Sequence, residues 1–341
     1  MQTEEFTLVH GMLRSFAARY RVCSADDITP QSRMIAQKAL DELGLTELRR
    51  ASPPAATVQE SALLAEEHGK QPLTTSLLGT ILLAPELLRL VGTLPTSSRP
   101  TIALGQDLRF PGDHPSPLVA WDCDDADCAL AVDAGGTVRY VGLGAAAPTT
   151  DPLRRVLETT GHGEVIGRLT PEAHRRWQAF ALVVTASELV GAASSFVELS
   201  VEYARDRRQY GRSISSFQAV QHLLADATVL TQACTSVTRY AAWSLDHESS
   251  HQALAAARVA KAEVNTSAVE AVHAGMQVFG GIAQTWEHIA HLYLRRVLVG
   301  ARLLATTADL LPALAAPHSE SGPDRSARDA ATTPTDPEPT R

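Results

Sequence analysis

Apolar residues recur at three- and four-residue steps in two long parts of the chain, a spacing typical of amphipathic helices. Near the N-terminus this pattern, with glycine or proline near the ends, predicts helices over residues 4–20, 30–43, 58–68 and 74–91. From Pro171 onward it predicts four longer helices, over residues 171–205, 217–246, 251–279 and 286–311. Long helices joined by short loops favour an antiparallel four-helix bundle.

Between the two helical parts the pattern changes. Short runs rich in β-forming residues alternate there with proline and other turn residues, which predicts a small β-region. These runs are TIAL, LVAWD, CALAVD and TVRYVGL. The predicted domains are an N-terminal helical domain, a β-domain, a C-terminal four-helix bundle and a disordered tail poor in apolar residues, over residues 1–92, 93–150, 151–316 and 317–341.

Composition narrows the class of protein. The chain has 341 residues, 45% of them hydrophobic, and a net charge of -8 without a clustered basic face, which argues against a nucleic-acid partner. No run reaches the roughly 18 uninterrupted apolar residues of a membrane span, and the acidic start does not read as a signal peptide. The four cysteines are scattered without a zinc-site pattern, so we expect reduced thiols and a cytoplasmic protein.

The most informative segment for function runs from Tyr203 to His222 and reads YARDRRQYGRSISSFQAVQH. A long helical pattern ends there in a doubly basic corner. Arg207 and Arg208 would offset the partial negative charge of the helix C-terminus, and Gly211 suits the left-handed residue that ends such helices. Spacing alone leaves this purely structural explanation open.

Two motifs resemble those of a known family. Tyr-Ala-x-x-Arg-x-x-aromatic-Gly, followed eight residues after the aromatic residue by the Gln of a Phe-Gln pair, resembles the signature of the C-terminal domain of acyl-CoA dehydrogenases. QVFGGIAQTWEHIAHLYLRR, residues 277–296, resembles the Gln-x-x-Gly-Gly turn of that family and the helix after it. The order of the predicted domains is also that of acyl-CoA dehydrogenases. The resemblance, which extends over nearly all of residues 1–311, implies a mainly α fold with a small β-domain, acyl-CoA dehydrogenase-like in its arrangement.

The resemblance implies an FAD site shared between neighbouring subunits. In that family the β-domain of one subunit holds the isoalloxazine ring, and the bundle of its neighbour reaches the pyrophosphate and adenine. A guanidinium offers a fixed fork to a diphosphate, and paired glycines allow close approach of the backbone. The implied cofactor-binding residues are Arg207 at the pyrophosphate, Tyr210 and Gln218 at the adenine side, and Gln277, Gly280 and Gly281 at the same phosphates. The alternative for the two glycines is a simple tight turn between two helices.

The β-region departs from the family pattern. Acyl-CoA dehydrogenases carry a Thr-Glu-Pro-x-x-Gly-Ser-Asp type loop and a Lys-x-x-Ile-Thr-Asn-Gly type strand that cradle the flavin ring, and neither is present here. The region is about half the usual length, and QDLRFPGDHPSP stands where the first loop would fall. We therefore expect this chain to be unable to hold an isoalloxazine ring by itself.

The catalytic base is also missing. Dehydrogenation needs a carboxylate within reach of the α-proton of the thioester. The family places it at one of two positions, and these correspond here to Ala181 and Leu304, neither of which can accept a proton. The sequence therefore predicts no catalytic residue in this chain.

Other polar residues have structural explanations. We expect Glu287 in the first turn of a helix, where an acidic side chain favours the helix dipole. Glu188 stands between apolar residues, so we expect it to pair with an arginine across the bundle, the alternative being a buried carboxyl with a raised pKa. His273, His288 and His291 lack the spacing of a metal site.

Three hypotheses follow. The first is a half-site subunit whose partner is a full-length acyl-CoA dehydrogenase chain, with an acyl-CoA substrate and electron-transfer flavoprotein as the acceptor. The motif TWEHxxHLYLRR resembles the corresponding segment in the shortened subunits of actinobacterial, steroid-degrading heterotetrameric enzymes. The second is a self-sufficient homo-oligomeric dehydrogenase with an unassigned base. The third is a flavin-free scaffold of the same fold.

Overall fold

The N-terminal part is helical, as the apolar spacing predicts. The computed structural model describes residues 3–93, 98–112 and 117–315, and the predicted tail over 317–341 lies outside them. A π-helical run over Leu77–Leu83 leads into the fourth helix, which ends at the left-handed Gly92. The four α-helices are α1 (Thr3–Tyr20), α2 (Pro30–Asp41), α3 (Val58–Gly69) and α4 (Ala84–Val91).

The β-region is a small closed barrel. Its strands are β1 (Pro100–Gly105), β2 (Leu118–Trp121), β3 (Cys128–Val132), β4 (Thr137–Ala146) and β5 (Val156–Arg168). The order is β1-β2-β5-β4-β3, and a parallel pairing of β1 with β3 closes the ring. One set of alternating side chains, mostly alanine, forms a small core of its own, while the larger set, such as Ile102 and Leu104, packs into the main core with the helices.

The predicted boundary between the β-domain and the bundle at residues 150 and 151 is wrong. The barrel continues to Arg168, because β5 pairs with both β2 and β4. The apolar and polar residues of β5 do not alternate regularly, because Gly161 and Gly163, both with positive φ, interrupt the strand. The sequence pattern therefore did not predict it. Its pairing with β4 is also irregular, with register shifts at three places.

The C-terminal part is built around one buried helix. The next elements are α5 (Pro171–Asp206), a two-strand hairpin of β6 (Arg208–Gln209) and β7 (Arg212–Ser213), α6 (Gln218–His247) and α7 (Ser250–Phe279). α5 is long and apolar enough to cross a membrane by length and composition, but 89% of its most apolar window is buried inside the fold. This burial is that of the central helix of a bundle.

The predicted helix over residues 286–311 is wrong in extent. The segment instead forms two short helices, α8 (Ala290–Gly300) and α9 (Thr307–Ala315), and a separate 3-10 turn over Gly280–Gln284 precedes it. The buried Lys261 Nζ donates to the Gly300 carbonyl at 2.7 Å, and the Leu304 N–H donates to the Leu108 carbonyl at 2.8 Å. Tertiary hydrogen bonds thus use backbone groups that a longer helix would need.

α3 and α5 cross at a pair of glycines. A Cβ added to Gly69 would overlap the Glu188 carbonyl oxygen, and one added to Gly191 would overlap the Glu66 carbonyl oxygen. Since only glycine permits this backbone approach, the crossing fixes how closely the N-terminal domain packs on the bundle.

Gly191→Ala should therefore destabilise the chain by about 1–3 kcal/mol, because the added methyl group forces the two helices apart. Urea-induced unfolding measures the change. The matched control is Gly11→Ala in α1, where a Cβ meets no atom within 4 Å and the higher helix propensity should stabilise by about 1 kcal/mol at most. Equal effects of the two changes would contradict the close-crossing interpretation.

Candidate functional site

The basic corner after α5 forms a tight hairpin. α5 ends at Asp206, and the strands β6 and β7 pair around a two-residue turn of Tyr210 and Gly211, whose φ values are +52° and +75°. This is the turn geometry that suits a hairpin, although an aromatic residue rarely adopts a positive φ. Gly211 is therefore left-handed, as predicted, but in a hairpin turn and not at the end of the helix. The Tyr210 side chain is 93% exposed at the tip.

The Gly-Gly turn lies at the same end of the bundle. The rings of Tyr203, near the end of α5, and Phe279, the last residue of α7, are 4.6 Å apart between centroids. Gly280 ends α7 with a φ of +67°. Gly281 has no such backbone requirement, and a Cβ at this position would meet no atom within 4 Å. Contacts within the described residues therefore do not require a glycine at position 281.

The structure brings together all six predicted cofactor-binding residues. They lie at the C-terminal ends of α5 and α7 and the N-terminal end of α6, around a shared apolar cluster. All six are exposed. These residues are Arg207, Tyr210, Gln218, Gln277, Gly280 and Gly281. Within the described part of the chain, neither Arg207 nor Arg208 forms an ion pair, so both guanidinium groups are available to an anion.

The two positions where the family places its base are sealed in the apolar core. Ala181 is 0% exposed and Leu304 is 1% exposed, and both belong to the main core cluster. The Leu304 backbone is further tied to the segment that replaces the family's flavin loop, since its carbonyl accepts the Phe110 N–H at 3.0 Å. A carboxylate at either position would have to displace this packing.

Glu188 is the centre of a buried ion cluster. Its carboxylate is 3% exposed and lies on α5. Arg154, from the segment before β5, forms an ion pair with it, and Arg296 of α8 approaches to 3.5 Å. His68 of α3 places its Nδ1 3.0 Å from the same oxygen. The expected arginine partner is confirmed, and the structure supplies two.

Both arginines are held by further acceptors. Arg154 contacts the Asp122 carboxylate at 3.2 Å and the Thr75 carbonyl at 2.7 Å. Arg296 donates to the Asp151 carboxylate at 2.8 Å. Three carboxylates and two guanidinium groups therefore form one ion-pair network that links the N-terminal domain, the barrel and the bundle.

This environment disqualifies Glu188 as a general base. Burial alone would raise its pKa, but the guanidinium groups of Arg154 and Arg296 outweigh burial and lower the pKa to about 2. Burial lowers the pKa of His68 to about 4, so this imidazole is neutral near pH 7. A carboxylate with so low a pKa is a weak proton acceptor.

The structure does not place the remaining candidate polar residues in a catalytic or metal site among the described residues. The expectation that Glu287 lies in the first turn of a helix is wrong, because α8 begins only at Ala290, and Glu287 is exposed. His288 packs against the Phe279 ring, and the His291 Nε2 donates to the Trp286 carbonyl at 3.0 Å. His273 is exposed. Across the described ranges, no group of three His, Cys, Asp or Glu side chains is placed to hold a metal ion.

Sequence analysis did not identify Arg154 or Arg296. The sequence pattern around Arg296 does indicate a buried cation, because this residue follows Leu292 by four residues and precedes Val297 on the apolar side of α8. A cation within an apolar helical face indicates a buried ion pair. Arg154 stands in a connecting segment and shows no such periodicity.

Comparison with known proteins agrees with this geometry. Residues 181–304 match the family described as acyl-CoA dehydrogenase, C-terminal domain. The acyl-CoA dehydrogenase IpdE2 of Mycobacterium tuberculosis is 34% identical over 255 residues, which are 74% of this chain and 75% of that protein. The chain belongs to the acyl-CoA dehydrogenase family.

Solved structures of this family share the fold. The ChsE4–ChsE5 complex from Mycobacterium tuberculosis superposes with a TM-score of 0.72 at 19% identity, covering 98% of this chain and 99% of that chain. Butyryl-CoA dehydrogenase from Megasphaera elsdenii superposes with a TM-score of 0.74 at 14% identity, covering 92% and 98%. The predicted fold class, mainly α with a small β-domain, is confirmed.

Glu188→Gln should destabilise the chain by about 3–5 kcal/mol near pH 7, because Arg154 and Arg296 would lose their shared buried counter-charge. The folded carboxyl has a pKa of about 2, below its usual 4.5, so its contribution is full above pH 4.5 and is lost as the pH falls toward 2. The deficit of the variant should therefore shrink over that range. Unfolding by urea at a series of pH values measures this.

The matched control is Glu287→Gln, which removes an exposed carboxylate that forms no ion pair within the described residues. Its effect should stay within about 0.5 kcal/mol at every pH. A Glu188→Gln variant as stable as this control would show that the ion cluster contributes nothing to the fold.

Proposed function

We propose that this chain is a subunit of an FAD-dependent acyl-CoA dehydrogenase that contributes half of a shared flavin site and lacks the catalytic base. The observation that carries the proposal is the uncovered end of the bundle. Six residues that match the family's FAD-contacting motifs converge there, and all six are exposed among the residues that the structure describes. Gly281 in particular is left open toward a group from outside.

The chemical types at this end fit a dinucleotide. Arg207 would bind the pyrophosphate through its planar guanidinium, and the backbone at Gly280 and Gly281 would approach the same phosphates. Tyr210 and Gln218 would line the adenine side. When bound, FAD supplies the acceptor for the hydride that leaves the β-carbon of the thioester.

The partner in this proposal is a full-length acyl-CoA dehydrogenase chain. It would provide the flavin-ring loops and the carboxylate, since Ala181 and Leu304 are apolar and buried here. One structure with the same fold is of a complex of two differently named chains, ChsE4 and ChsE5, which supports a hetero-oligomer. The acyl-CoA would react on the partner's side, and electron-transfer flavoprotein would reoxidise the flavin in the cytoplasm.

The first expected outcome concerns flavin stoichiometry. Expressed alone, this chain should carry little FAD, and its complex with the full-length partner should carry a single FAD per heterodimer, because only the partner supplies the loops around the ring. Flavin absorbance against protein concentration measures both values. One FAD per copy of the isolated chain would overturn the half-site proposal, and a flavin-free complex would favour a scaffold.

The second outcome concerns Arg207. Arg207→Ala should weaken flavin retention by the complex by about 2 kcal/mol, or roughly thirtyfold in Kd, through the loss of a charge-assisted pair with phosphate. Arg208→Ala, which removes the neighbouring exposed cation, is the matched control and should have little effect. Dialysis against FAD at fixed salt gives the two dissociation constants.

Gly281→Ala separates a ligand contact from a folding effect at the same place. Because the new methyl group meets no atom within 4 Å among the described residues, the stability of the isolated chain should not change. Retention of FAD by the complex should fall if the backbone approaches the phosphates there. Equal, small losses for the Arg207 and Arg208 variants, with full FAD retention by Gly281→Ala, would return both motifs to a structural role.

A further inference from the structure

A cleft of about 770 Å³ lies between α2 and one end of the barrel. Small-molecule sites have volumes of about 300–1,000 Å³, so a metabolite-sized ligand fits. The cleft opens beside Arg99, at the start of β1, whereas the Leu304 segment pairs with Arg109, beyond the end of that strand. Five steps of about 3.3 Å along β1 put roughly 17 Å between the two places. The cleft is therefore separate from the positions at which the family places its base.

Two ion-paired arginines tie the walls of the cleft together. Arg33 of α2 contacts the Asp124 carboxylate at 3.1 Å and donates to the Thr74 carbonyl at 3.3 Å. Arg99 contacts Asp41 of α2 at 2.6 Å and also pairs with Asp125. These contacts hold the helix at a fixed distance from the barrel, so the cleft is formed before any ligand arrives.

The charged side chains of the cleft that are not ion-paired are positive. Five cationic side chains line the cleft against three carboxylates. After the Arg33 and Arg99 pairs are made, Lys38 and Arg155 have no ion-pair partner in the described ranges, and both are exposed. A positive cleft in a chain with a net charge of -8 concentrates anions locally.

Arg154 also lines the cleft, but its charge is already paired. It is only 2% exposed, and its terminal nitrogens contact Glu188 and Asp122. The charge available to an anion in the cleft is therefore that of Lys38 and Arg155.

The rest of the lining is largely apolar. Ile28, Ala147 and Val156 contribute to the walls, and Met34, 65% exposed, is an adaptable side chain that also lines the cleft. The ligand that suits this combination has an apolar body and one anionic group.

We propose that this cleft binds a small amphipathic anion, an apolar body carrying a carboxylate or phosphate group, with Lys38 and Arg155 at the anionic group. The site is independent of the flavin site, so it stands or falls separately from the proposed function.

Calorimetric titration of the whole chain with three probes tests this proposal. Decanoate represents a lipid-like carboxylate, AMP a nucleotide phosphate, and inorganic phosphate the anion without a body. Decanoate or AMP should bind, and the one that does identifies the source of the anion. Lys38→Met/Arg155→Met keeps the length and apolar character of both stems and should weaken that binding at least tenfold.

The control is Arg205→Met/Arg208→Met, which removes two exposed cations near the end of α5 and should leave the affinity unchanged. Absence of binding by both organic probes, inorganic phosphate binding as tightly as they do, or an unchanged affinity of the Lys38 and Arg155 double variant would each overturn the proposal. If circular dichroism shows that the double variant is unfolded, the two single variants are titrated, and unchanged affinity in both has the same meaning.

Discussion

The ion cluster at Glu188 is the constraint on which the rest of this structure depends. One carboxylate on the central helix is shared by Arg154 beside the barrel, Arg296 of α8 and His68 of the N-terminal domain. A charge buried this deeply is tolerated only when its partners arrive together. The three domains can therefore dock in one arrangement, and the reciprocal glycines at Gly69 and Gly191 allow the backbones to approach closely enough for it.

The same arrangement accounts for the apolar surroundings of Ala181 and Leu304. Ala181 lies on α5 two turns before Glu188, and Leu304 lies on the segment that follows α8. Once the cluster draws these elements together, the space between bundle and barrel is filled by apolar side chains. A carboxylate there would be buried without the arginines that Glu188 has, so the apolar residues at these two positions stabilise the fold.

The residues of the proposed flavin site lie on the outside of the fold. Tyr210 at the hairpin tip, the guanidinium of Arg207 and the open backbone at Gly281 are exposed at one end of the bundle, and the Tyr210 ring packs edge-on against Phe217. A positive φ at Tyr210 is a local strain, which the fold retains in the two-residue turn that joins β6 to β7. Features of this kind are expected where a ligand or a partner completes the surface.

The sequence by itself determined the order of the parts, four of the five strands, and the two motifs that meet at the end of the bundle. It also showed that Ala181 and Leu304 cannot accept a proton. These properties are local, since helical spacing, turn residues and side-chain chemistry are written in consecutive positions. Only the tertiary structure decided the rest. It split the helix predicted over 286–311, because Lys261 and Leu108 bind its backbone, and it added β5, whose pairing overrides two glycines. It also gave Glu188 its partners, which come from positions 34 and 108 residues away and leave no periodic signal that links them to it.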